Sequence, residues 1–453
     1  MECGEDALIS HGDVGKARIG RAFLPALAGL LVLMGGQGAS ATESWVSEYP
    51  RVAAQAEKDC AQPKLDDCRL ELLRLAALLD NRTDVLFRLA KVEASLGHNE
   101  ASLGYLKSYA RAQLDFGDPA AQPEFHALRS SQSFQEIEKT YRAGLAPTGT
   151  HLQLAVAPAT DLVAEDLAVD TQSGLRYLSS VHLGKVLSLD TAGHWRDFAG
   201  PAELSAWGIY AVALDAPRAR LWASTVAGPT TPPFHDADQG RSAILRLNLK
   251  SGATEQRYEL HDGRPHAFGD MALGEKGELY VSDGVGGGVY SIGAAPDAAL
   301  TTRVEPGALR SPQEPVPLPD GAHLLVADYS RGIAIVSLQE GQAVAWLEHP
   351  PELAVYGIDG LYRSGQTLVA IQNGTMPERL LLMQLDPSFT RIVSWRVALA
   401  RAPGLGDPSH GVVRGDRFEF ISNSGWDRVD NDGRYTPAPT ATPPALWSIE
   451  LRQ

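Results

Sequence analysis

Six residues open short apolar runs in the later two thirds of the chain: Glu165, Tyr210, Gly269, Gln313, Asp359 and His410, at intervals of 45, 59, 44, 46 and 51 residues. Asp166, Asp270 and Glu314 stand directly after three of them. If the runs are equivalent, carboxylates, an amide and an imidazole converge on one place, an oxygen-rich donor set with a single nitrogen. Such a set suits a divalent metal, calcium more than zinc, or zinc if His410 is a ligand. Glu165 and Asp359 are the leading ligands, with Gln313 as a third. His410, in Pro408-Ser409-His410-Gly411, and Asp270 are the candidates for moving a proton, His410 because imidazole titrates near neutral pH. Tyr210 shares the axis as a candidate substrate contact. The competing reading is that these groups hydrogen-bond within a wet channel and hold nothing.

Asn373, in Gln372-Asn373-Gly374, and Asn423, in Ser422-Asn423-Ser424-Gly425, lie at turns, where Asn usually serves the backbone; substrate contact is their functional alternative. The acidic loop Trp426 to Gly433 lacks the downstream glutamate of a calcium loop and reads as an exposed turn. The insertion Thr230 to Gly240 is long enough to fold over a mouth of the channel. Gly-x-Ser-x-Gly, His-Glu-x-x-His, phosphate-loop and dinucleotide fingerprints are all absent from the sequence.

The elements that must position these residues repeat. From His151 onward, short alternating segments are separated by Gly, Asp and Pro, and six times a strand, a turn, a second strand, a turn and a third strand recur. A period of 40 to 50 residues with three or four strands is the signature of propeller blades. The expected fold is therefore mainly β, a six-bladed β-propeller over residues 148–453, in which the first strand of each blade lines the channel. The last blade runs out of chain after three strands, whereas His151–Val156 is a strand without a blade. It is expected to close the ring as the outer strand of blade six.

Residues 42–147 have helical apolar spacing instead: Leu70, Leu73 and Leu79 on one face, Leu86, Leu89, Val92 and Leu96 on another. Leu89-Ala90, Gly97, Ala101, Leu103 and Tyr105 resemble a tetratricopeptide repeat, whose small residues let two antiparallel helices approach closely. One repeat cannot bury its own faces, so these helices pack on each other or on the propeller. Before them, Lys16, Arg18 and Arg21 precede the apolar run Ala22 to Met34 and Ala39-Ser40-Ala41, a pattern read as a signal peptide over residues 1–41, with an exported, periplasmic or secreted product and no membrane span after its removal. Cys60 and Cys68 then form an even pair, expected to be bridged in an oxidising compartment. The formal charge of −15 argues against a nucleic acid partner.

The blade openings Glu165-Asp166-Leu167-Ala168-Val169-Asp170, Gly269-Asp270-Met271-Ala272-Leu273, Leu318-Pro319-Asp320-Gly321 and Ile358-Asp359-Gly360-Leu361 resemble the six-bladed regucalcin, gluconolactonase and luciferin-regenerating-enzyme-like propellers. The resemblance covers roughly residues 155 to 453. It implies an axial divalent metal, usually held by a Glu of the first blade, an Asn of a middle blade and an Asp of a later one, and hydrolysis of lactones or organophosphate esters. Glu165 matches the first and Asp359 the last; the middle Asn is missing, with Asp270 or Gln313 as its possible replacement. Two functions remain open. One is an exported, metal-dependent hydrolase acting on a small-molecule lactone or ester. The other is a non-catalytic propeller that binds a protein, glycan or small ligand, with the helical domain as a second docking surface.

Overall fold

The structure is a computed structural model that describes residues 44–204, 207–339 and 344–452. The signal-like segment lies outside the described residues. Among those described, no helix is long and apolar enough to cross a membrane.

Six four-stranded antiparallel sheets follow one another around a ring. Their inner strands are Ala164–Val169, Gly208–Asp215, Phe268–Leu273, Pro312–Pro317, Gly360–Ser364 and Gly411–Arg414. The ring closes as the sequence requires: Leu152–Val156 pairs antiparallel with Ala445–Glu450 and supplies the outer strand of blade six. The first strand of the propeller thus covers an edge that would otherwise present unpaired backbone groups. Core forms where blades meet. Tyr177 and Val186 of blade one pack with Leu221 and Leu245 of blade two, and Leu178 and Leu187 pack on the other side with Ile421 and Leu446 of blade six. Every inner strand is therefore clamped from both sides, a rigid mount for the groups at its opening end.

Residues 45–144 are helical, with α1 Trp45–Cys60, α2 Leu65–Leu78, α3 Thr83–Ser95, α4 Asn99–Arg111 and α5 Gln132–Gly144. Cys60 and Cys68 are disulfide-bonded across the turn between α1 and α2. Gly97, at φ +79°, turns α3 into α4, and the Ser102 hydroxyl donates to the Ala90 carbonyl at 2.8 Å, so small residues do set the close approach of this pair. Phe134, Ile137 and Tyr141 of α5 cover the same aromatic core as Phe87, Tyr109 and Phe125.

The helices also pack on the propeller. Arg379, fully buried at the start of a blade-five strand, donates to the carbonyls of Ala112 at 2.8 Å and Gln113 at 3.2 Å. Arg331 lies over the rings of Trp45 and Trp346, Arg82 over Tyr356, and Leu114 packs with Ala354 and Tyr356. Of these propeller residues Arg331 sits in a connection between a second and a third strand, Ala354 and Tyr356 between blades, and Arg379 at the start of a third strand. In an antiparallel propeller, such connections lie at the end where the inner strands begin, so the helices cover that end over blades four and five.

One contact makes this docking pH-dependent. His349 Nε2 is 3.0 Å from Asp80 Oδ2 and its Nδ1 is 3.0 Å from the Pro350 carbonyl. Burial works against the imidazolium, but the Asp80 hydrogen bond, the carbonyl and the Asp80 charge override it and raise the His349 pKa. The His349 hydrogen bond in turn holds the Asp80 carboxyl below its usual value. The stability this adds is complete below the ordinary histidine value, is lost as pH rises through the raised one, and is lost again as pH falls through that of Asp80. His349→Gln is expected to lower the thermal midpoint most near about pH 5 to 6 and least at alkaline pH, modestly because Asp80 is half exposed. A difference from wild type that is flat with pH would contradict this.

Candidate metal centre

The register of the inner strands decides which residues meet. Between Ala164 and Leu167, Ile209 and Val212, Phe268 and Met271, and Pro312 and Pro315, the pairing with the second strand slips by one residue. Each slip is a β-bulge, two residues facing one. The second residue of each pair, Asp166, Ala211, Asp270 and Glu314, is buried; of the first residues Glu165 and Tyr210 are buried too, whereas Gly269 and Gln313 are half-buried. Blades five and six record no such slip at this place, and there Asp359 and His410 directly precede the strand.

Asp270, Glu314 and His410 consequently converge, each offering a ligand atom within 4.8 Å of the others. His410 Nδ1 lies 3.1 Å from Asp270 Oδ1 and Nε2 lies 3.8 Å from Asp359 Oδ2. Neither ring nitrogen, nor Asp270 Oδ2, makes a well-directed hydrogen bond, although all three are fully buried. Around His410 stand five carboxyl groups, Glu165, Asp166, Asp270, Glu314 and Asp359, each no more than 6% exposed.

Their hydrogen bonds sort them. Asp166 accepts from the Leu167 and Val212 amides, both at 2.7 Å, and so ties blade one to blade two. Glu165 accepts from the Ser409 hydroxyl at 2.7 Å and from the Trp426 indole, and its carbonyl accepts from the His410 amide. Asn373 Nδ2 donates to Asp359 Oδ2 at 2.6 Å and to the Pro408 carbonyl at 2.8 Å. Asp270 and Glu314 are the acids drawn to His410.

The electrostatics follow from crowding of like charge in a dry place. Burial, then the charges of Asp359, Glu165 and Asp166, push the Asp270 carboxyl well above the usual range, with His410 opposing. Glu314 is raised likewise, by burial and then by Asp270, Asp166 and Asp359. Burial alone would lower His410, but the acids around it lift it to about 9. The Tyr362 phenol, which accepts from the Gly411 amide, is pushed up by burial and by Glu314. Excess negative charge, orphaned donor atoms and two carboxylates beside an imidazole fit a divalent cation, and Asp270, Glu314 and His410 are the residues that would hold it.

Set beside the sequence expectations, Asp270 and His410 both stand at the centre of the cluster. Asp359 lies at the edge of the cluster with Asn373 holding it. Glu165 belongs to the same buried group but is tied to Ser409 and Trp426. Gln313 is turned elsewhere: its amide donates to the Ser311 carbonyl and hydroxyl, because the bulge hands its place to Glu314. Tyr210 is buried 5.9 Å from the Trp426 ring. Asn423 takes a left-handed φ of 52° and donates to Thr442 and Pro443, stapling a loop and not facing the cluster. The loop read as an exposed turn is exposed at Asp427 and from Asp430 to Asp432, but Trp426 is buried against Glu165. The insertion does reach across the channel end. Thr230 donates to the Gly433 carbonyl at 2.7 Å and its own carbonyl bonds His182.

No protein-family model and no curated protein matches this sequence. Solved structures do match. A gluconolactonase from Xanthomonas campestris shares 15% identity over 68% of this chain and 99% of its own, with a TM-score of 0.44. A luciferin-regenerating enzyme shares 11% over 66% and 95%, at 0.46, and virginiamycin B lyase from Staphylococcus aureus 11% over 61% and 83%, at 0.42. The six-bladed propeller form of this chain rests on its own strand pairing.

Proposed function

We propose that this is an exported, divalent-metal-dependent hydrolase of lactones or esters, with the cation held by Asp270, Glu314 and His410 at the opening end of the inner strands. The observation that carries the reading is the convergence of those three buried donors with their orphaned atoms. The imidazole in the set favours zinc or another first-row transition ion over calcium, which prefers oxygen alone. A cation there would supply Lewis acidity toward a carbonyl and acidity to bound water. Asp359, fixed by Asn373, is the carboxylate placed to take a proton. Trp426 and Ser409 keep Glu165 in place at the rim of the cluster.

The test is hydrolysis of a panel of lactones and aryl esters by metal-loaded protein. Asp359→Asn is expected to lower turnover by about 100-fold or more while retaining the cation, as loss of a positioned base does. Equal turnover in the variant would remove the base. No turnover of any member, with the cation bound, would favour a second reading.

That second reading is a binding propeller whose cation is structural. It is favoured by the burial of all three donors and by a cleft of about 790 Å³ between α4, α5 and blade five, lined by Arg111, Lys139, Glu136 and Trp395.

A further inference from the structure

Arg428 closes a short 3-10 turn, Trp426–Arg428, in the loop that spans the channel end of blade six. Its side chain is only 7% exposed, yet Nε and both terminal nitrogens lack a hydrogen-bond partner. Among the described residues it is the arginine whose whole guanidinium is left so. The nearest acid, Asp427, is exposed and 3.7 Å from Nε, beyond hydrogen-bond reach, and the Tyr435 ring is 5.7 Å away. With only that long ion pair to an exposed acid and a distant ring to compensate it, burying the guanidinium is costly.

A second orphan lies in the same turn. The Ser424 hydroxyl is fully buried and has no partner, while the Ser424 carbonyl accepts from the Ala164 amide at 2.9 Å, next to Glu165. Between them Gly425 has φ 101°, and the guanidinium folds back over it so closely that any side chain there would collide. Trp426, the next residue, donates to Glu165. A hydroxyl and a planar fork of N–H groups, all without a hydrogen bond, thus belong to the turn that bonds blade one through the Ser424 carbonyl and the Trp426 indole. Their common complement is an oxyanion, and a guanidinium binds a carboxylate or phosphate through two parallel hydrogen bonds.

We propose that the Ser424–Arg428 turn binds the anionic group of the small-molecule substrate, so that the substrate class is a carboxylate- or phosphate-bearing lactone or ester and not a neutral one. This rests on the hydrolase reading for the word substrate, but the anion site stands by itself and is tested without turnover.

The full chain is titrated calorimetrically with inorganic phosphate and with acetate at constant ionic strength, before and after treatment with chelator. Saturable binding of one equivalent of either probe is expected, weakened at least about tenfold in Arg428→Gln, since hydrogen bonds to a charged group contribute about 1.5–3 kcal/mol. Arg428→Lys, which keeps the charge and loses the fork, should recover only part of it, and Ser424→Ala should weaken it less. Phosphate preferred over acetate points to a phosphorylated substrate, the reverse to a carboxylate. Because a buried cation compensated only by a long ion pair is removed, the thermal midpoint of Arg428→Gln should hold or rise. No saturable binding of either probe, or binding unchanged in Arg428→Gln, overturns the proposal, as does a fall in midpoint shared by Arg428→Gln and Arg428→Lys. Binding that survives chelation in a protein with no hydrolase activity would instead leave the anion site and remove the hydrolase.

Discussion

Replacing Asp270 by Asn and Glu314 by Gln together is expected to stabilise the cation-free protein and to abolish its stabilisation by added zinc. Both carboxyls have folded pKa values raised above the ordinary 3.8 and 4.5 by burial and mutual repulsion. A raised acid contributes stability that is complete below its unfolded value and is lost as pH rises through the folded one, so at neutral pH these two are a burden. His410 acts in the same direction: lifted to about 9, it contributes fully below 6.5 and fades as pH climbs to about 9. The cation-free wild type should therefore lose stability steadily from acid to alkaline pH, and the double variant much less. Replacing two buried, mutually repelling carboxyls by neutral groups of nearly the same shape removes that burden. The gain is read as a higher midpoint in thermal unfolding under chelator. With zinc present the order should reverse, because only the wild type has ligands that a cation neutralises. A double variant less stable than wild type under chelator would show that the acids are paired by something other than a cation.

The second large effect is expected at Arg379. Burial pushes its guanidinium down to about 10, and it is held by Gln372 Oε1 at 2.7 Å and the two carbonyls at the end of α4. Arg379→Leu fills similar space but strips two buried acceptors and one part-buried one of their donor, at about 1 to 3 kcal/mol for each buried one, roughly 2 to 6 kcal/mol in all. Because the carbonyls belong to the helices and Gln372 to the propeller, the loss should fall on the junction. Hydrogen exchange in residues 45–144 should accelerate before that of the strands, giving two unfolding steps where wild type shows one. Gln372 also precedes Asn373, which holds Asp359, so on the hydrolase reading turnover should drop several-fold with the cation retained. One cooperative transition at the wild-type midpoint would refute the coupling.

The sequence carries the architecture because blades repeat a physical pattern, alternating strands broken by Gly and Asp turns at a near-constant period, and because an unpaired strand at one end and a three-stranded blade at the other imply each other. It carries the site only to within one residue. Stacking the blade openings by their apolar runs puts Gln313 on the axis, but a bulge inserts one residue into blades one to four and turns Glu314 and Asp270 inward instead. Nothing in the local composition marks such a slip, although an acid directly after the opening residue in three of those blades is a trace of it. Trp426 and Arg428 were illegible for another reason: their loop is acidic and turn-rich, and burial against Glu165 is a tertiary fact. The docking of the helices through Arg379 is equally non-local, joining residues 112 and 379.

The central claim is that Asp270, Glu314 and His410 hold a divalent cation. Elemental analysis of the protein purified without chelator, beside Asp270→Ala and Glu314→Ala, tests it most directly. The account predicts about one equivalent of a transition ion such as zinc in the wild type and at least about a 100-fold loss of affinity in either variant, more than is usual for removing a residue that merely supports a ligand. Metal-free wild type that takes up no zinc, manganese or calcium on titration would contradict it.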